Sequence, residues 1–230
     1  MFDGDMTAEL ATKGLFELNP DARAGMRLIG GQIPVVLIDD VFANPAAIRE
    51  HALRLQFHKP PYPYPGKIAE PDNGDPSLKL FLARVLNLVN GEYLPRVPPI
   101  GEAGRTISAF ARVDADFAIT DIHPDELEPV QRAPHVDPVP IFGLVYLNPV
   151  ERGGTMFFNR SGGESRQDRH GYFVEGDAEY AYVGKIEERF NRLAVYPGFV
   201  PHTGEIVGDW IRTDERFSSP RLTQRLVFFP

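Results

Sequence analysis

The chain has 230 residues and a mass of 25.7 kDa, and its 43% hydrophobic and 24% charged residues are the balance of a globular protein with one sizeable core. A formal charge of −8 excludes a broad basic surface for nucleic acid, and the absence of cysteine excludes disulfides, a thiol nucleophile and sulfur-ligated metal. No apolar run is long enough to span a membrane, and the start MFDGDMTAEL lacks the basic-then-apolar pattern of a signal peptide, so the expected location is the cytoplasm. Any metal must therefore be held by histidine and carboxylate.

With 21 glycines and 22 prolines, the composition favours short strands joined by turns. Residues 1–33 read as a loosely structured lead-in and 34–39 (PVVLID) as a buried strand. Asn44-Pro45 opens a helix, asparagine capping it and proline fitting its first position, with Ile48, Ala52 and Leu55 on one stripe. Residues 58–66 (HKPPYPYPG) are extended and polyproline-like, and read as a packed surface connection in preference to the alternative, a substrate contact. Asp75-Pro76 starts a second helix with a buried face of Leu78, Phe81, Leu82, Val85 and Leu88, and Gly91 is its expected stop.

From about residue 105 the pattern changes to strands: 106–113, 141–148, 155–159, 192–197 and 221–229, each short, rich in β-branched and aromatic residues, and bounded by turn formers. Helices followed by strands predict a single mainly β domain over 1–230, with 1–104 as helical support packed on the outer face of one sheet and 105–230 as the core. The polar stretch 159–177 reads as a long loop. Its neighbourhood gathers Arg152, Arg160, Arg166 and Arg169, so it is either a lid meeting an anionic substrate or a solvated loop.

Among six histidines, the pattern His-x-Asp occurs twice, at His123/Asp125 and His135/Asp137. So short a pattern also arises by chance. His123 stands in DIHPDELEP, a solvated run of acids and prolines, whereas His135 directly precedes the apolar strand IFGLVYLN. In extended chain, residues i and i+2 share a side, so His135 and Asp137 can converge on one point. His202, after the strand RLAVYP and its turn, can bring a third ligand from a remote segment. Two histidines and a carboxylate on one face of an octahedron hold Fe(II) and leave positions open for a chelating cosubstrate and O2. The same three residues could instead be structural polar groups at strand ends.

His135-x-Asp137, YLNPVERGGTMFF (146–158), RLAVYPGFVPH (192–202) and RLTQRLVFF (221–229) occur in that order. Over roughly 106–229 the chain thereby resembles the 2-oxoglutarate- and Fe(II)-dependent dioxygenases, in particular their prolyl-4-hydroxylase-like branch. The helical first third resembles uncharacterised bacterial relatives at best. The resemblance implies a double-stranded β-helix, or jelly roll, shared with cupins. It also implies Fe(II), 2-oxoglutarate and O2 as cofactor and cosubstrates, hydroxylation of a small-molecule or peptide substrate, and binding of the far carboxylate of 2-oxoglutarate by Arg221 with Thr223 beside it.

A guanidinium fork suits that carboxylate. Alternation along the last strand puts Arg221, Thr223 and Arg225 on one face and Leu222, Leu226 and Phe228 on the other. The family's basic residue usually follows the distal histidine by about ten positions. Arg212 stands at that distance, but lies in a polar segment, and Arg-x-Thr before VFF favours Arg221. Gly153-Gly154-Thr155 also departs from the acid that the branch often has before its threonine, which leaves the substrate open. Two other readings remain: a non-catalytic cupin-like module binding a metal or ligand, and a cupin-type metal-dependent hydrolase or isomerase.

Overall fold

The computed structural model describes residues 14–97, 107–149, 151–163, 165–167, 173–176, 179–206 and 220–230. Strands β1 (Ala24–Ile29) and β2 (Ile33–Ile38) form an antiparallel hairpin. Its turn carries Gly30 and Gly31 at φ 55° and 73°, a left-handed backbone that glycine adopts without steric cost. The lead-in of the sequence reading thus contains a strand, and its Gly-Gly pair is the hairpin signal.

Helix α1 (Pro45–Ala52) is capped by Asn44, whose side chain accepts from the Ala47 N–H, and α2 (Pro76–Leu88) by Asp75, which accepts from Ser77 and Leu78. The chain does not stop at Gly91. It runs on through a π-helical turn, Val89–Tyr93, and a 3-10 turn, Leu94–Arg96. Tertiary anchors carry it past the glycine: the Asn90 side chain bonds both backbone groups of Phe110, and the buried Tyr93 hydroxyl donates to the Pro34 carbonyl.

Between the two helices lies the short strand β3 (Lys67–Ala69), and after α2 comes β4 (Arg112–Thr120). The sequence placed that strand at 106–113, too early. Its buried residues Val113, Ala115 and Phe117 alternate with Arg112, Asp114 and Asp116, a half-polar pattern that the apolar-run criterion passes over. A short helix α3 (Pro129–Arg132) precedes β5 (Ile141–Tyr146), β6 (Gly154–Ser161), β7 (Ser165–Gln167) and β8 (Phe173–Gly176). The remaining strands are β9 (Glu179–Glu187), β10 (Arg192–Pro197), β11 (His202–Glu205) and β12 (Arg221–Phe229).

Among the described residues all strand pairings are antiparallel, and the protein is mainly β with few helices. A seven-stranded sheet has the order β1-β2-β10-β5-β12-β4-β3, a three-stranded sheet β11-β6-β9, and β7 pairs with β8. Three strands of the large sheet come from the first third of the chain, which is therefore more than helical support.

Alternation along the strands divides the core in two. Val36, Ile38, Ile141, Val145, Leu193, Val195, Leu222, Leu226 and Phe228 pack with Ile48, Ala52, Leu78, Phe81 and Val85 of the helices. Val35, Leu37, Phe142, Leu144, Tyr146, Ala194 and Tyr196 face the other way, toward Phe157 and Ile186 of the small sheet. Among the described residues no helix is long and apolar enough to cross a membrane.

Candidate metal centre

The space between the two sheets is not filled. A cavity of about 220 Å³ opens there, with His135, Asp137, His202, Thr155, Tyr196, Arg221, Thr223 and Arg225 in its wall. His135 is held in place by an isolated antiparallel bridge: its N–H donates to the His202 carbonyl at 2.9 Å, and the His202 N–H donates back at 2.8 Å. Two positions on, the Asp137 N–H donates to the Gly198 carbonyl at 2.8 Å. Gly198 permits this approach, because a Cβ there would stand 2.3 Å from the Val139 carbonyl oxygen. The turn after β10 thus fixes the distance between the segments that carry His135, Asp137 and His202.

One ligand atom from each of His135, Asp137 and His202 lies within 4.8 Å of the others. His202 Nδ1 is 2.8 Å from the Val200 carbonyl, which places the proton on Nδ1 and turns Nε2 inward, 3.2 Å from Asp137 Oδ2. That contact lies outside hydrogen-bond geometry, so Oδ2 is a buried carboxylate oxygen without a hydrogen-bond donor. Tyr196 and Phe157 stand 5.1 and 6.1 Å from the His202 ring and exclude water from it.

Burial, reinforced by His202, pulls His135 down to about 4, so its imidazole is neutral at physiological pH. Burial also pulls His202 down, but Asp137 outweighs it and leaves His202 above its usual value. For Asp137 burial acts upward and the histidines downward, with a net shift down. Two inward nitrogens and an orphaned carboxylate oxygen fit a divalent cation that accepts mixed N and O ligands.

The other histidine–aspartate pair lies elsewhere. His123 caps a 3-10 turn, Pro124–Glu126, accepting from the Asp125 N–H, and it does not line the cavity.

Arg221 and Thr223 enter from β12. The Arg221 side chain is 7% exposed, its Nε donates to Glu188 Oε2 at 3.1 Å, and its buried Nη2 has no partner among the described residues. Thr223 is buried opposite Tyr146, whose hydroxyl is 2.7 Å from Thr155 Oγ1. The Gly153-Gly154 pair at the head of β6 has φ 89° and 150°, and a Cβ at Gly154 would lie 2.1 Å from the Ile186 carbonyl oxygen; this close passage presents Thr155 to the cavity. Arg212 lies outside the described residues.

The sequence reading missed part of the wall. Tyr62, Tyr64 and Pro65, in the segment taken for surface cover, line the cavity. Arg225 holds them: its Nε and Nη2 each reach an Asp116 oxygen at 2.6 Å, Nη1 donates to the Tyr62 hydroxyl at 3.2 Å, and the guanidinium lies 5.3 Å from the Tyr64 ring centre. Glu188 was missed as well. The 159–177 stretch holds the end of β6 and the β7–β8 pair rather than one long loop, and Arg152, Arg160 and Arg166 are not among the cavity-lining residues. Arg169, grouped with these arginines in the sequence, lies outside the described residues.

No curated protein matches this sequence. Among solved structures, a prolyl-4-hydroxylase of Pseudomonas putida aligns at 17% identity over 80% of this chain and 82% of its own, with a TM-score of 0.39, too distant to bear on function. A family described as of unknown function, DUF6445, matches residues 20–167 and 161–228.

Proposed function

We propose that this chain, which belongs to the DUF6445 family, is an Fe(II)- and 2-oxoglutarate-dependent oxygenase that hydroxylates an unactivated C–H bond of a small-molecule or peptide substrate. The observation that carries this reading is one cavity lined by both a two-histidine, one-carboxylate cluster and a buried arginine whose Nη2 has no partner among the described residues. The strand path supports the double-stranded β-helix behind it. From β4 to β12 the chain passes between the large sheet, the His135 bridge and the small sheet, so that remote segments meet in the gap.

In this reading His135, Asp137 and His202 hold the iron, which when bound couples O2 and the decarboxylation of 2-oxoglutarate to succinate with oxidation of the substrate. Arg221 takes the far carboxylate of 2-oxoglutarate, a contact that gains strength where water is excluded. Thr223 adds a hydroxyl on the same face of β12. The Tyr146–Thr155 hydrogen bond fixes the cavity floor, and Tyr196 and Phe157 keep the ligand nitrogens dry. Tyr62, Tyr64 and Pro65 form the wall that meets the substrate.

Thermal unfolding of metal-stripped protein under anaerobic conditions tests the assignment, because a ligand of the folded state raises the melting temperature by mass action. Fe(II) is expected to raise it, and 2-oxoglutarate to raise it further in wild type but not in Arg221→Met. Stabilisation by iron with no additional effect of 2-oxoglutarate would move the reading to a cupin-like metal-binding module.

A further inference from the structure

Arg221 is not an isolated cation awaiting a ligand. Its Nε donates to Glu188, whose side chain is fully buried, and the other Glu188 oxygen accepts from Asn148 Nδ2 at 2.8 Å. Asn148 is fixed in turn. Its Oδ1 accepts from the Leu222 N–H at 2.9 Å and from Arg49 Nη1 at 3.1 Å, and Arg49 reaches across from α1 to the Leu147 carbonyl as well. Both Glu188 oxygens are thus engaged, and the chain of contacts runs from a helix through β12 to the cavity wall. The buried Nη2 of Arg221 is left without a partner among the described residues.

We propose that Glu188 is the built-in counter-ion of the anion pocket: it neutralises Arg221 while the pocket is empty, orients the guanidinium so that its open edge faces the cavity, and sets how tightly a ligand carboxylate binds. The inference rests on the reading of Arg221 as the anion seat and deepens it. A buried guanidinium without a counter-charge destabilises the fold strongly, so an arginine kept ready for a ligand needs a permanent partner. That partner also weakens the anion, because the incoming carboxylate meets a neutral pair and not a bare cation. Glu188 is a positioning residue in this account and touches no substrate.

The experiment uses metal-stripped full-length protein and glutarate, which has the far carboxylate of 2-oxoglutarate but no keto acid to chelate a metal. Melting temperature is followed against glutarate concentration for wild type, E188Q and the double variant E188Q/R221Q. E188Q is expected to melt lower than wild type without glutarate and to reach half its response at a concentration at least tenfold lower. The double variant, which removes both members of the Arg221–Glu188 pair, is expected to melt above E188Q and to ignore glutarate.

Equal glutarate dependence in wild type and E188Q overturns the role of Glu188 and leaves Arg221 as the anion seat. No response in either overturns both. A response in E188Q alone supports the counter-ion and shows it to hold the pocket shut. If E188Q does not fold, the double variant decides: a folded double supports the proposal, and a double that also fails makes Glu188 purely architectural and overturns it.

Discussion

Asp137→Ala is expected to lower affinity for Fe(II) by at least about a hundredfold, the upper end of the cost of losing even an outer partner of a metal ligand. Asp137 Oδ2 is the only anionic donor in the cluster, and the alanine removes the charge that draws a cation into a buried site. The measurement is equilibrium titration with Fe(II) under anaerobic conditions, or with Mn(II) in air. His123→Ala serves as the control and is expected to change nothing, since its ring caps an exposed turn away from the cavity. Loss of affinity on changing His123 would mean that the wrong pair has been assigned.

The same site predicts a pH dependence with a definite sign. His135, lowered to about 4, is a neutral imidazole throughout the physiological range. His202 is raised above its usual value by Asp137 against the effect of burial, and a metal competes with protons for its Nε2. Affinity therefore rises with pH through the folded value of His202. In the metal-free protein the raised His202 contributes stability that is fully present below its unfolded value of about 6.5 and is lost as pH rises through the folded one. The increment in melting temperature given by the metal consequently grows with pH.

The second large effect is on folding. Asp116→Ala is expected to destabilise the protein by about 3 kcal/mol, the lower part of the range for breaking a buried ion pair, because its carboxylate retains some exposure. Both Asp116 oxygens hold Arg225 at 2.6 Å, and Arg225 in turn holds Tyr62 and lies against Tyr64. Removing the acid leaves a guanidinium with no counter-charge of its own in the cavity wall and loosens its hold on Tyr62 and Tyr64. Urea unfolding checks the magnitude, and Asp116→Ala/Arg225→Met, which removes the stranded cation, is expected to recover most of the loss. A single variant as stable as wild type would show that the pair is solvated and does not anchor the cavity wall.

The sequence made some of this architecture legible and hid the rest for physical reasons. β10 and β12 were readable to the residue because both of their faces are buried, one under the helices and one in the inter-sheet core, so they read as dense β-branched and aromatic runs. The capped starts of α1 and α2 were equally local, since the capping side chain lies within three residues of the N–H it satisfies. β4 was displaced because Asp114 and Asp116 interrupt it, and the reason for Asp116 is Arg225 on the neighbouring strand.

His135, Asp137 and His202 were nominated from spacing and surroundings, and the fold brings them together through the Gly198 turn and a single bridge. Tyr62, Tyr64 and Glu188 could not be found that way. An aromatic-proline run that covers a core and one that lines a cavity have the same composition; the distinction lies in Arg225, remote in sequence. Glu188 is one acid among many until Arg221 and Asn148 are placed beside it.

The central claim is that this cavity couples the metal to 2-oxoglutarate, and the most direct measurement is formation of succinate. Metal-stripped protein supplied with Fe(II), 2-oxoglutarate and air is expected to release succinate slowly even without its substrate. That release should vanish without oxygen, in Asp137→Ala and in Arg221→Met, and persist in His123→Ala. Succinate formed at the same rate by Arg221→Met or Asp137→Ala, or no succinate from wild-type protein that demonstrably binds both iron and 2-oxoglutarate, would contradict the account.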